Sequence, residues 1–153
     1  MRIAGYAAVF DRVDRGGDVV RRGAFGRTVR AVPLLLEHRG QAIGRCELVK
    51  EDARGLRVIA RVTDARAAAL VKERAVTGLS FGYRVLAARG ERPRELTRLE
   101  LVEVSLVSLP MQTLARVHAV ETPAPHPKTN AEALACVTSE TSGCPAGAPR
   151  PGM

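Results

Sequence analysis

Three side chains in this sequence have the types needed for nucleophilic catalysis, and each sits in its own apolar segment. Ser80 lies in Thr77-Gly78-Leu79-Ser80-Phe81-Gly82-Tyr83, His38 closes Pro33-Leu34-Leu35-Leu36-Glu37-His38, and Glu103 interrupts Leu101-Val102-Glu103-Val104-Ser105-Leu106-Val107. A serine hydroxyl becomes a useful nucleophile when a neighbouring base takes its proton, and neutral imidazole does this near pH 7. The imidazole in turn needs an acceptor on its other nitrogen, which fixes the tautomer and stabilises the imidazolium. The three residues would together support acyl transfer. Each also has an ordinary explanation: Ser80 as a strand serine bonded to backbone, His38 as a surface histidine at a strand end, Glu103 as the partner of one of many arginines. Glu103 is the most telling, because a carboxylate between Val102 and Val104 is costly to bury without a partner.

The elements that must position these residues follow from periodicity. Residues 2–10 read as a first strand, 11–18 as a polar loop ending in glycines, and Val19-Val20 as a short extended piece. Gly23-Ala24-Phe25 opens an expected helix in which Phe25, Val29 and Val32 recur at helical spacing, ended by Pro33. Residues 34–38 are expected as a buried strand that places Leu34, Leu36 and His38 on one face, followed by a turn at Arg39-Gly40-Gln41. Residues 42–50 and 54–62 form an expected hairpin, with Leu56, Val58, Ala60 and Val62 alternating inward. Asp64 caps a helix expected over 65–76, and Gly78 occupies the place of a left-handed C-cap. Strands are expected at 79–87 and 95–107, separated by a loop, with a last strand or turn in 113–120. Gly78 and Gly82 are expected to keep the surroundings of Ser80 open to an approaching chain. This pattern predicts an α+β domain over 1–120, built on a closed or nearly closed sheet of six or seven strands with two or more helices.

From residue 121 the composition turns to Pro, Ala, Thr, Ser and Gly, which cannot build a core. Residues 121–153 are therefore expected as a disordered tail, with at most a marginal helix over 131–137. The whole chain has 153 residues and a formal charge of +8, carried almost entirely by arginine. Such a balance suits an acidic partner, but no aromatics are interleaved as a single-strand stacking platform needs, so no specific nucleic-acid partner is expected. No apolar run is long enough to span a membrane or serve as a signal peptide, which predicts a cytoplasmic protein without a membrane partner. The cysteines, Cys46, Cys136 and Cys144, are odd in number and lack metal-ligand spacing. They are expected to be reduced, apart from an optional Cys136–Cys144 loop, and no metal or other cofactor is expected. Cys46 falls mid-strand, which disfavours a cysteine peptidase.

The quoted segments resemble the prohead (capsid maturation) protease family of tailed phages and gene-transfer particles. The resemblance covers residues 3–117. It takes in Gly5-Tyr6-Ala7-Ala8-Val9-Phe10, Gly17-Asp18-Val19-Val20 with Gly23-Ala24-Phe25, the run ending at His38, Ile43-Gly44, Gly55-Leu56, the Ser80 and Glu103 segments, and Pro110. It implies a serine endopeptidase with a herpesvirus-protease-like antiparallel β-barrel, similar to the herpesvirus assemblins. In it His38 matches the catalytic histidine and Ser80 the nucleophile. The third member is implied to be Glu103, with His118 the competitor by analogy to the second histidine of the herpesvirus branch; His126 in the tail is a remoter candidate. The sequence departs from the family at Arg22, where proline is common, at Arg39, where an acidic residue is common, and at Met111-Gln112, where asparagine is common.

The implied substrate is the major capsid protein, from which the enzyme would remove an N-terminal scaffolding segment inside the assembling prohead in the host bacterial cytoplasm. Self-cleavage is also implied, and the tail would serve as a packaging or self-processing segment. Two alternatives remain: a catalytically silent relative that acts as a capsid scaffold, and a basic nucleic-acid-binding packaging protein.

Overall fold

The computed structural model describes residues 1–26 and 31–122. In chain order the elements are β1 (Arg2–Val9), β2 (Asp18–Val20), β3 (Pro33–Leu36), β4 (Arg39–Glu51), β5 (Gly55–Val62), α1 (Ala65–Lys72), β6 (Gly78–Arg89), β7 (Arg94–Val107) and β8 (Val117–Glu121). All the strands join one sheet, ordered β2-β7-β3-β4-β5-β1-β8, with β6 also on β7. The axis of the sheet is β7. Its partner β6 runs antiparallel along one edge, while the other edge is shared by β2 near Arg94 and by β3 near Val104.

Alternation builds the core. In β5 the expected inward residues Leu56, Val58, Ala60 and Val62 are all fully buried, and they join Ile3, Ala7, Leu34, Leu79, Leu96, Val104 and Leu106 in one apolar cluster. With so few aromatics, β-branched and small side chains fill the interior.

The architecture departs from expectation in three respects. The sheet has eight strands, and it does not close into a barrel. Where β6 and β8 approach, they share the single bridge Gly78–Arg116, flanked by Leu79 N–H to the Ala115 carbonyl (3.0 Å) and Val117 N–H to the Thr77 carbonyl (2.9 Å). Beyond that point β6 diverges, and residues 84–89 are exposed, with β7 as their one ladder partner among the described residues. The sheet is also mixed, because β2 and β3 both run parallel to β7.

Among the described residues there is one helix, not two or more. The segment expected to open a helix at Gly23 makes successive turns, Ala24 N–H to Arg21 O and Gly26 N–H to Gly23 O, both 3.1 Å. Its free amides have a distant acceptor: Glu51 takes the N–H groups of Gly23 (2.9 Å) and Phe25 (2.8 Å). Both amides are thereby satisfied from strand β4 while the segment stays in turns. Residues 27–30 lie outside the described residues. Helix α1 begins as expected, with Asp64 Oδ1 accepting from Ala67 N–H at 2.7 Å. It ends four residues early, because Arg74, not Gly78, takes the left-handed conformation (φ 59°), while Gly78 opens β6. Strand β8 reaches Glu121, at the start of the expected tail. The rest of the tail, with His126, the helix over 131–137 and the Cys136–Cys144 loop, lies outside the described residues.

One buried carboxylate joins the polar loop to β7. Asp18 accepts from Arg94 Nε (2.8 Å) and Nη2 (2.5 Å), and the Tyr83 hydroxyl donates to it at 3.1 Å. These bonds, from Arg94 above all, hold its carboxyl below the ordinary 3.8. A depressed folded-state pKa contributes stability above the unfolded value and loses it as pH falls through the folded value. Asp18→Asn is therefore expected to cost about 2 kcal/mol at neutral pH. The gap from wild type should shrink as urea titrations are repeated at progressively lower pH, below the ordinary aspartate pKa.

Candidate active site

His38 does not end a straight strand. The strand β3 stops at Leu36, which pairs with Arg39, so Glu37-His38 are the two central residues of a tight β3–β4 turn. Both have positive φ, 51° and 59°, as such hairpin turns require. The expected turn at 39–41 and the shared face of Leu34, Leu36 and His38 are thereby corrected. Two non-glycine residues in this conformation cost roughly 1–2 kcal/mol each, and contacts to the end of β7 offset part of that. Glu37 N–H donates to the Leu106 carbonyl (2.9 Å), and Glu37 Oε1 accepts from Ser108 N–H (2.7 Å). The imidazole projects from this turn with 42% of its side chain exposed.

Glu103 is buried, and its carboxylate meets that imidazole: His38 Nδ1 and Glu103 Oε1 are 2.6 Å apart. The other oxygen, Oε2, accepts from the Ser105 hydroxyl at 2.6 Å. Its partners are thus a histidine and a serine, not one of the arginines. A bulge explains how a carboxylate fits here. Gly82 pairs with Glu103 and Tyr83 with Leu101, which leaves Val102 unpaired and 44% exposed, while Val104 is fully buried. Glycine at 82 is what makes the space: a Cβ there would fall 2.5 Å from Glu103 Oε1. The openness expected around Ser80 is in fact room for the carboxylate.

Ser80 pairs with Ser105, two residues along the ladder from Gly82 and Glu103. In antiparallel strands directly opposed residues share a face, and so do residues i and i+2. Ser80, Ser105 and Glu103 therefore face the same way. Ser80 is only 6% exposed, and among the described residues the hydrogen bonds of His38 run to Ser105 and Glu103, not to the Ser80 hydroxyl. Nδ1 is occupied by Glu103, so Nε2 is the nitrogen left to serve a nucleophile. Beside Ser80 is a narrow cleft of about 20 Å³ bounded by Ala7, Asp18 and Met111. The carboxamide of Gln112 closes this loop onto β1, accepting from Val9 N–H and donating to the Val9 carbonyl (2.8 Å).

His118 lies apart from this group. It is exposed on β8, packs on Tyr6 with ring centroids 5.7 Å apart, and lines a hollow of about 740 Å³ beside α1. Cys46 is buried in β4, and burial pushes its thiol up to about 12, with the Glu103 charge adding in the same direction. A neutral, enclosed thiol is a poor nucleophile. Among the described residues no group of three or more His, Cys, Asp or Glu side chains is placed to hold a metal ion. Sequence reasoning gave Ser105 no role; the i, i+2 spacing from Glu103 was the available signal.

The model of the caudovirus prohead serine protease family matches residues 1–129. The chain belongs to this family. Among solved structures it is similar to the KSHV protease in complex with a hexapeptide phosphonate inhibitor, with TM-score 0.55 and 13% identity over 79% of this chain and 65% of that one. It is also similar to the varicella-zoster virus protease, with TM-score 0.47 and 16% identity over 76% of this chain and 62% of that one. The chain thus spans a little under two thirds of the length of these herpesvirus proteases. At 13% identity the likeness to the KSHV protease is one of fold: a mostly β domain with a single described helix. No curated protein sequence matches significantly. Of the positions where the sequence departs from the prohead protease pattern, Arg22 and Arg39 are exposed, whereas Gln112 is buried in its bonds to β1.

Two outcomes are expected. Gly82→Ala should push the Glu103 carboxylate off His38, so the imidazole ¹H–¹⁵N signals of His38 shift while those of His118 stay in place. Peptide mapping after iodoacetamide treatment at neutral pH should find Cys46 unmodified in the folded chain and labelled after denaturation.

Proposed function

We propose that this chain is a serine endopeptidase that cleaves the scaffolding segment from the major capsid protein during prohead maturation, and also processes itself. Family membership supports the reaction class. The observation that carries the residue assignment is the 2.6 Å contact between His38 Nδ1 and Glu103 Oε1, on the sheet face that Ser80 shares. In this reading Ser80 Oγ attacks the scissile carbonyl while His38 Nε2 takes its proton. The imidazolium then protonates the leaving amine, and water enters by the same route to release the acyl group from Ser80. Glu103 holds the ring so that Nδ1 carries its proton and Nε2 stays free. The absence of a Ser80–His38 bond agrees with a resting site, since catalytic hydrogen bonds often form only with substrate bound.

The setting would be the interior of the assembling shell, in the host bacterial cytoplasm. Among the described residues no helix is long and apolar enough to cross a membrane. Removing a scaffolding segment there would clear volume for DNA. Residues 121–153 would serve as a packaging or self-processing segment.

The test is the intact mass of the shell protein after co-expression with this chain. One discrete N-terminal truncation is expected with wild type and none with Ser80→Ala. Glu103→Gln should slow cleavage by about 10⁴-fold, while His118→Gln should leave it unchanged. Full-length shell protein in particles that contain the wild-type chain would instead identify a scaffolding relative without activity. A salt-sensitive gel shift unaffected by Ser80→Ala would identify a nucleic-acid-binding module.

A further inference from the structure

Ser105 is fully buried, and its single hydroxyl touches two different parts of the site. It donates to Glu103 Oε2 at 2.6 Å and accepts the main-chain N–H of His38 at 3.3 Å. The first bond uses the only proton the hydroxyl has. The second uses a lone pair and reaches the left-handed turn from which the imidazole projects. One oxygen therefore fixes both the carboxylate and the backbone of the base.

We infer that Ser105 is a positioning residue for acyl transfer: it locks the Glu103 carboxylate in the one rotation that presents Oε1 to His38, and it anchors the turn that carries His38. This inference rests on the reading of His38, Ser80 and Glu103 given above. With Oε2 held by Ser105 and Oε1 by Nδ1, rotation of the carboxylate would break two bonds at once. On the other side lies Gly82, where a Cβ would fall 2.5 Å from Glu103 Oε1 in its present orientation. Tying the turn to β7 through Ser105 matters because Glu37 and His38 hold an unfavourable backbone conformation that relaxation would abandon. Ser105 is also the cross-strand partner of Ser80, so the residue that places the base sits directly opposite the proposed nucleophile. Its committed proton and full burial exclude Ser105 itself as the attacking group.

The test uses the full chain and two readouts. In peptide cleavage, Ser105→Ala should lower kcat by about 10²-fold, the scale expected when a reacting group is misplaced by an ångström, with KM unchanged. Ser105→Thr, which keeps the hydroxyl, should recover most of that loss. The second readout is the Nδ1–H proton signal of His38 in a Ser80→Ala background, where no turnover is needed. The signal should be strongly downfield with Ser105 present, lost to exchange with Ser105→Ala and with the near-isosteric Ser105→Cys, and restored with Ser105→Thr. If Ser105→Cys folds and keeps both the signal and wild-type kcat, the hydroxyl only fills space and the inference is overturned. A rise in KM with kcat unchanged would overturn it equally. Should wild type cleave nothing, the proposed function fails, yet the proton signal still decides whether Ser105 positions the Glu103–His38 pair.

Discussion

A carboxylate inside a β-sheet is tolerable when each of its oxygens is satisfied, and the neighbourhood of Glu103 is arranged to that end. One oxygen faces an imidazole and the other a buried hydroxyl. Desolvating a charge without such partners costs several kcal/mol, so the arrangement constrains everything around it. The β7 bulge at Val102 sets the side Glu103 faces. The partner strand must supply glycine opposite it, and the β3–β4 turn must deliver a ring nitrogen at bonding distance. The long pairing of β6 with β7 then brings Ser80 to the same face two residues away. Removing the His38 ring or the Ser105 hydroxyl would leave one oxygen of the carboxylate unmet.

The topology explains why β7 can support so much. Most strands in a meander have one neighbour per edge along their whole length. Here one edge of β7 is divided between two short parallel strands, β2 at its beginning and β3 at its end. The division lets the Asp18–Arg94–Tyr83 cluster brace one end of the strand, while the His38 turn is held at the other. Structural and chemical tasks are thus separated along a single strand.

Much of this was legible in the residues. Alternation in residues 54–62, the Asp64 cap and the hairpin at 51–55 are local signals, and the folded chain uses them as read. The three candidate residues were visible because each is polar in an apolar run. What escaped was non-local. Nothing in Glu37-His38 announces a two-residue turn, since that conformation favours asparagine and glycine and is held here by Leu106 and Ser108, some seventy residues away. At Gly23, where a helix was expected to open, residues 21–26 make successive turns, and the acceptor of the Gly23 and Phe25 amides, Glu51, comes from a strand some twenty-five residues on. The open seam was illegible for a similar reason: strand count suggests closure, but only the path of β6 past Gly78 decides it.

The Glu37-His38 turn carries one more consequence. A chain free of chemical duty would gain by placing Asn-Gly there, because those residues adopt positive φ at little cost. Keeping glutamate and histidine instead gives up stability that drift would otherwise recover. The pair therefore serves as a marker of purpose: a relative that has relaxed to Asn-Gly at this turn has exchanged its base for a firmer fold, and would persist, if at all, as architecture rather than as an enzyme.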